Sequence, residues 1–335
     1  MKRFSKRLAA CLTAIVLIAC SFAGCASEPV DDVFTVLWTS DPQWYSFKYQ
    51  EIIAHQNEWV VENFEEQDIR YIAHTGDFVN LPHEQAEWTV MDEAYKLWDE
   101  AALPYGVLAG NHDVDGSDHS DYSNYFGEDR FNERSWYCDS YEDNFGHCDL
   151  MDIAGVPFVF VYLGYNEEYK DADYEWLNTV LDKYSDRIAI LCFHDYLNAA
   201  GERTTSGNKF FQKNVLTHPN VRMVLCGHNY SADRKIDHID DDGDGEADRT
   251  VYQLIANYQS TLKGGNGFMR FMEFDITNGT IHSTTYSPYI DRYGSDYETK
   301  NDTDEYGTRD DFTIPFDFSV PSAKPEGFEK GQVVE

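Results

Sequence analysis

Tyr105-Gly106-Val107-Leu108-Ala109-Gly110-Asn111-His112-Asp113 passes from a short apolar run directly into a glycine and three polar residues. An apolar run of this length, closed by a turn residue, reads as a buried strand. Asn111, His112 and Asp113 are then carried at a strand tip, where side chains with metal-binding or proton-transfer capacity face outward. Working outward, the same pattern recurs. Val33–Trp38 leads into Asp41 and Gln43, and Ile69–Ala73 leads into Gly76 and Asp77. Arg187–Phe193 leads into His194 and Asp195, and Val221–Cys226 into Gly227 and His228. Helical patterns lie between them, at about 48–67 with Ile52, Ile53, Trp59, Val60 and Phe64 on one side, and at about 84–101. Strands alternating with helices predict a βαβ organisation. Ligands in such folds bind beyond the carboxyl ends of the strands.

The spacing supports convergence. Asp41 to Asp77 is 36 residues, Asp77 to Asn111 is 34 and His194 to His228 is 34. Each interval fits one strand-helix-strand unit, so the polar tips gather along one sheet edge. Converging Asp, Asn and His side chains supply oxygen and imidazole ligands, a mix suited to Mn, Fe or Zn and not to a soft thiolate site. Asp77 has two carboxylate oxygens with which to bridge two ions, and Asn111 offers a neutral oxygen. A lone Asp after a strand is ordinarily a turn or cap residue. His74, His83, His147 and His282 are isolated in this sense and receive no role. Five such clusters in order are more than turn and cap residues account for.

Asp41-Pro42-Gln43, Gly76-Asp77, Gly110-Asn111-His112-Asp113, His194 and Gly227-His228 resemble the five motifs of the calcineurin-like metallophosphoesterases. The resemblance covers roughly residues 33–290. Asn257-Tyr258-Gln259, Gly264-Gly265-Asn266-Gly267 and Thr285-Tyr286-Ser287-Pro288 look like features of exported bacterial members. The resemblance implies an α/β fold of two packed mixed β-sheets flanked by helices, a four-layer sandwich. It implies that Asp77 bridges two divalent metals, one also held by Asn111, His194 and His228, the other by Asp41 and Gln43. A hydroxide between the ions would be the nucleophile on a phosphate mono- or diester. His112 would protonate the leaving oxygen, with Asp113 orienting its ring. Two positions depart from the commonest pattern. Gln43 stands where many members have His, and Tyr230 where the last motif usually ends in His, which makes Tyr230 a candidate phenolate ligand.

Lys2, Arg3, Lys6 and Arg7 precede an apolar run from Leu8 to Ala23, the form of a secretory leader. Phe22-Ala23-Gly24-Cys25 resembles a bacterial lipobox, with Leu17-Ile18-Ala19-Cys20 as the rival match. The expected organisation is a lipoprotein signal peptide at 1–24, lipidation at Cys25, a tether at 25–32, the catalytic domain at 33–290 and an acidic tail at 291–335, an irregular segment that can pack on the domain and whose apolar stretch Phe312–Phe318 can form one edge strand. That places the protein on the extracytoplasmic face of the cell membrane, held by lipid alone. Protein-mediated contact is disfavoured, since 60 Asp and Glu against 26 Lys and Arg give a net charge of −34 over 335 residues. The same balance repels nucleic-acid polymers. In an oxidising compartment, Cys138 and Cys148 are candidates to close a disulfide around an acidic loop, while Cys192 and Cys226 lie in apolar runs and read as buried thiols.

Asp240-Asp241-Asp242-Gly243-Asp244-Gly245-Glu246-Ala247-Asp248 resembles a calcium loop, with Asp240, Asp242, Asp244 and Asp248 as candidate ligands. It lacks the bidentate Glu at the twelfth position, where Val251 stands, and a solvated acidic hairpin explains the same letters. Aromatic residues at 121–126 and 136–137, with Trp44, Tyr45 and Tyr196, read either as a cleft wall or as ordinary packing. The expectation is a monomeric, lipid-anchored two-metal hydrolase of small phosphoesters. The alternative is a catalytically degenerate surface lipoprotein that uses its metal or calcium site to bind envelope material.

Overall fold

The computed structural model describes residues 32–297, 304–320, 324 and 327–335. The expected leader, the tether up to residue 31, Cys20 and Cys25 lie outside the described residues. The chain lays down β1 (Val33–Thr39), α1 (Gln43–Phe47), α2 (Gln50–Asn63), β2 (Ile69–His74), α3 (Gln85–Glu100) and β3 (Tyr105–Gly106). Short helices α4 (Ser120–Phe126) and α5 (Glu128–Phe131) lead to β4 (Tyr137–Tyr141), β5 (Gly146–Ile153) and β6 (Val156–Leu163). Next come α6 (Asp171–Lys183), β7 (Ile188–Phe193), α7 (Thr205–Phe210), β8 (Val221–Cys226), β9 (Ala232–Asp240) and β10 (Arg249–Ala256). β11 (Met269–Asp275), β12 (Thr280–Ser287), β13 (Arg292–Tyr293), β14 (Asp311–Pro315) and β15 (Gln332–Val334) follow.

These strands form two mixed sheets. The first has the order β13-β12-β11-β1-β2-β3, with β14 also on β12, and the second runs β15-β9-β10-β8-β7-β6-β5-β4. β1, β2 and β3 are parallel in the first sheet, and β6, β7, β8 and β10 in the second. Strand β7 shows how the layers arise. Its Ile188, Ile190 and Cys192 pack with Phe34, Val36, Trp38 and Tyr71 of the opposite sheet. The alternate residues Ala189, Leu191 and Phe193 pack with Leu177, Val180 and Leu181 of α6. Period-two alternation therefore fills two cores from one strand, and burial on both faces explains its unbroken apolar run. Beyond the first sheet, Trp88, Met91, Tyr95 and Trp98 of α3 recur at helical spacing and join Ile52, Ile53 and Val60 of α2. The result is helix, sheet, sheet, helix.

Some elements differ from the sequence reading. The helix expected to reach residue 67 ends at Asn63 and is preceded by the separate turn α1. The strand expected over 105–109 pairs only at Tyr105 and Gly106. Beyond that point the chain leaves the first sheet, and the Ala109 carbonyl accepts from the Tyr165 amide at 2.8 Å, just past β6 of the second. The tail joins the domain: β14 pairs with β12, β15 pairs with β9, and Phe312, Ile314 and Phe316 enter the core between the sheets. Cys138 and Cys148 are disulfide-bonded, linking β4 to β5, and Cys192 and Cys226 are buried thiols.

Candidate metal centre

Every polar cluster of the sequence sits past the carboxyl end of a parallel strand. Asp41 follows β1, Asp77 follows β2, Asn111 follows β3, His194 follows β7 and His228 follows β8. The chain must turn sharply to aim these side chains inward. Asp41, Asp77 and His228 accordingly adopt left-handed φ values of 55°, 60° and 65°. Such backbone costs about 1–3 kcal/mol per residue and persists where surrounding contacts enforce it. Here cross-loop bonds do so: Asp41 N donates to Gly76 O at 3.0 Å, and Gly227 N to His194 O at 3.1 Å.

The glycines of the motifs are explained by crowding. A Cβ on Gly110 would lie 2.1 Å from Asp77 Oδ1, and one on Gly227 would lie 2.3 Å from Asp41 Oδ2. No larger residue lets these loops approach.

Asp41, Asp77 and His194 each place a ligand atom within 4.8 Å of the others, and all three are buried. Asn111 Oδ1 lies 2.9 Å from His194 Nε2 and 2.7 Å from His228 Nδ1. Asp77 Oδ2 accepts from Gln43 Nε2 at 3.0 Å, and its Oδ1 accepts from the His112 amide at 2.9 Å. Thus Asp41, Gln43, Asp77, Asn111, His194 and His228 come together from two sheets.

Ring tautomers follow from the partners. His194 Nδ1 faces the Thr75 carbonyl at 2.8 Å, which can only accept, so Nδ1 carries a proton and Nε2 points at the oxygens. Gln43 Oε1 is buried without a hydrogen-bond partner. A buried acceptor without a donor costs free energy, and a cation at this spot would satisfy it. Oxygen-rich, imidazole-bearing and free of thiolate, the donor set fits two hard or borderline divalent ions.

Electrostatics agree. Burial pushes the Asp41 carboxyl up to about 8, against the pull of His194. Burial acts likewise on Asp77, but His194 and His112 outweigh it and hold that carboxyl below its usual range. Burial disfavours charge on His194 as well, yet Asp77 and Asp41 raise it to about 10. Burial, reinforced by His194, pushes His228 down to about 4. Positive charge on His194 is thus favoured opposite the ionised Asp77, a role that a metal cation fills more fully.

Asp113 corrects the sequence reading. Its Oδ2 accepts from Gly110 N at 2.7 Å and its Oδ1 from Val79 N at 3.0 Å, so the carboxylate staples two loops together. The His112 ring is oriented instead by the Asn80 carbonyl, 2.8 Å from Nδ1, which leaves Nε2 available. A backbone carbonyl does the work expected of the acid. Tyr230 departs as well: its side chain is 62% exposed, on the rim. Gln259 is the residue found against Asp41, with Nε2 donating to Oδ1 at 3.2 Å. Tyr165 was also missed, and its ring packs 6.0 Å from those of both His194 and His228. Both residues follow apolar strands, β10 and β6, which is the same signal that marked the other clusters.

Elsewhere, Asp240, Asp242 and Asp244 bring carboxylate oxygens within 4.8 Å of one another, without Asp248. Asp248 Oδ2 accepts from the amides of Asp241 and Asp242, and both Asp240 oxygens accept from Gly243 and Gly245 amides. Turn closure thus accounts for much of the acidic spacing. Of the aromatic residues near the motifs, Tyr45, Tyr122, Phe126 and Tyr196 are core, and Trp44 is exposed. His74 and His147 are buried, while His83 and His282 pair with surface aspartates.

Two sheets whose strand tips converge on paired carboxylates and imidazoles define a metallophosphoesterase type of architecture. The calcineurin-like phosphoesterase family description matches residues 34–231, and the chain belongs to that family. It is 42% identical over 302 residues to the Bacillus subtilis protein YvnB, covering 89% of this chain but only 23% of YvnB. The chain therefore spans about a quarter of that relative's length. Among solved structures, a purple acid phosphatase from yellow lupin seeds superposes with a TM-score of 0.54 at 13% identity, covering 87% of this chain and 57% of that one. A dimetal phosphatase from Danio rerio gives 0.52 at 12% identity, covering 85% and 99%. At these identities the likeness concerns the fold.

Proposed function

We propose that this protein is a metal-dependent hydrolase of phosphate mono- or diesters. The observation that carries the reading is the buried Asp41–Asp77–His194 group with the unpartnered Gln43 Oε1 beside it. Asp77, Asn111, His194 and His228 would hold one ion, and Asp41, Gln43 and Asp77 the other. Such ions, when bound, lower the pKa of a coordinated water and neutralise phosphoryl charge. His112 has its Nδ1 proton engaged by Asn80 O, so Nε2 is the nitrogen placed to face the leaving oxygen and would deliver a proton to it from the imidazolium form. Asp113 holds the loop that carries His112, and buried His194 has its Nδ1–H held by Thr75 O, which directs Nε2 toward the site.

A lipid anchor at Cys25 and an extracytoplasmic location belong to the same reading. They are supported by the basic and apolar start of the sequence, and a disulfide suits an oxidising compartment. Incorporation of labelled fatty acid into the native protein, lost in Cys25→Ser, is the expected result; retention of label would remove the anchor from that position. Calcium at Asp240, Asp242 and Asp244 remains a proposal of the sequence spacing, and calorimetry with Ca²⁺ on Asp242→Asn checks it.

The central test is metal analysis of purified protein with hydrolysis of an aryl phosphate monoester and diester in added Mn²⁺. Two equivalents of metal and turnover abolished in His194→Ala and His228→Ala are expected. Protein that takes up no metal and is inert on both esters would return the non-catalytic surface lipoprotein.

A further inference from the structure

Beside Asp41, on the side marked by Gln259, lies a depression of about 530 Å³ whose walls include Trp44, Lys48, Tyr49, Tyr230, Leu262 and Lys263. Gln259 belongs both to this depression and, through its bond to Asp41, to the metal centre. Two properties mark it. It has two lysines and no acidic residue in its lining, in a chain with 60 Asp and Glu against 26 Lys and Arg. Three other hollows among the described residues are each lined by two or more acids. It also gathers exposed apolar surface: Trp44, Tyr230 and Leu262 are 37%, 62% and 79% exposed, and Phe47 packs on Trp44 with ring centroids 6.1 Å apart. A concentrated apolar patch beside a catalytic centre marks a binding surface.

The walls are held in place. Lys263 has a left-handed φ of 53°, and its Nζ is anchored 2.9 Å from Tyr289 Oη. Gly264 packs so closely that a Cβ there would stand 2.3 Å from Trp44 Cβ. Strained backbone and a tight glycine contact therefore fix a lysine and an indole on the same rim.

We propose that this depression is the substrate's organic-group subsite, selecting phosphoesters whose organic part carries a flat ring and an additional negative charge. The inference rests on the phosphoester-hydrolase reading above. Trp44 and Tyr230 offer ring faces, and Lys48 and Lys263 offer the positive potential that draws an anion through an otherwise negative field.

Three phosphonates, which cannot be hydrolysed, separate the contributions: methylphosphonate, phenylphosphonate and 4-carboxyphenylphosphonate. Titrated calorimetrically into the full, Mn²⁺-loaded protein, each should bind more tightly than the one before. Stacking should give on the order of 3- to 10-fold and the carboxylate a few-fold more. Trp44→Ala and Tyr230→Ala should erase the first step, and Lys48→Ala with Lys263→Ala the second, at unchanged metal content. Tyr230 is mostly solvent-exposed, so its variant folds even if Trp44→Ala does not. Equal binding of methyl- and phenylphosphonate, or gains that survive in the variants, overturns the subsite while leaving the hydrolase reading intact. Failure to take up metal or to bind any phosphonate overturns both.

Discussion

At Gly227 an added methyl group would stand 2.1 Å from Ser40 Oγ and 2.3 Å from Asp41 Oδ2, short side chains of the loop after β1. Gly227→Ala must therefore push β8's loop away from β1's loop, and about 1–3 kcal/mol of destabilisation is expected. The measurable consequence is loss of bound metal together with a lowered Tm; retention of full stoichiometry would contradict the crowding argument. At His112 the Asn80 carbonyl fixes the ring through Nδ1. His112→Ala should lower kcat by about 10²–10⁴, with metal content preserved. The loss should shrink for esters whose leaving groups need no proton, which a series of aryl esters of differing leaving-group pKa reads directly. Asp113 behaves differently, because its oxygens satisfy the buried amides of Gly110 and Val79. Asp113→Ala leaves those donors unpaired and should cost about 1–3 kcal/mol per amide, seen first in stability.

The tail strands illustrate what an element gains from its neighbours. Residues 311–315 alternate outward Asp311, Thr313 and Pro315 with buried Phe312 and Ile314, the pattern of an edge strand. Its anchor comes from another element: fully buried Arg270 of β11 donates to Asp310 at 3.1 Å and to Tyr258 Oη at 2.8 Å. Asp310→Ala removes the carboxylate facing a buried guanidinium, and a loss of about 3–5 kcal/mol is expected in denaturant unfolding. A change below about 1 kcal/mol would mean that the remaining hydroxyl and carbonyl partners suffice. The sequence allows one edge strand in residues 312–318, but nothing there names β12 as its partner. Strand β3 erred the other way. Val107, Leu108 and Ala109 are as apolar and buried as a strand, but their chain crosses toward β6 to deliver Asn111.

For the molecule as a whole, the acidic surplus makes stability sensitive to conditions, and one buried histidine gives that sensitivity a window. His218 is pushed down to about 4 from its ordinary 6.5, chiefly by burial and then by Lys324. Above pH 6.5 the side chain is neutral in both folded and unfolded chains. Between about 6.5 and 4 the unfolded chain takes up the proton more readily, so stability falls as pH falls through this window. The loss amounts to about 3.5 kcal/mol at most, using about 1.4 kcal/mol per pH unit. His218→Gln should flatten this part of the stability profile in urea unfolding. Parallel curves for the two proteins would show that other groups set the slope.

Apolar runs ending in Asp, Asn or His, about 35 residues apart, were sufficient to place the polar clusters at strand tips and to imply a parallel βαβ core. That information is local: hydrophobic runs, turn glycines and polar termini are properties of single segments. What required the folded chain was every relation between segments. Gln259 stands against Asp41, 218 positions away, because β10 lies beside β8 in one sheet while β1 lies in the other. Asp113 turned from catalysis to stapling, and Tyr230 from the ligand set to the rim, because burial and hydrogen-bond partners are fixed only when two sheets meet. Side-chain chemistry can be read from sequence, whereas the partner that decides its use is supplied by packing.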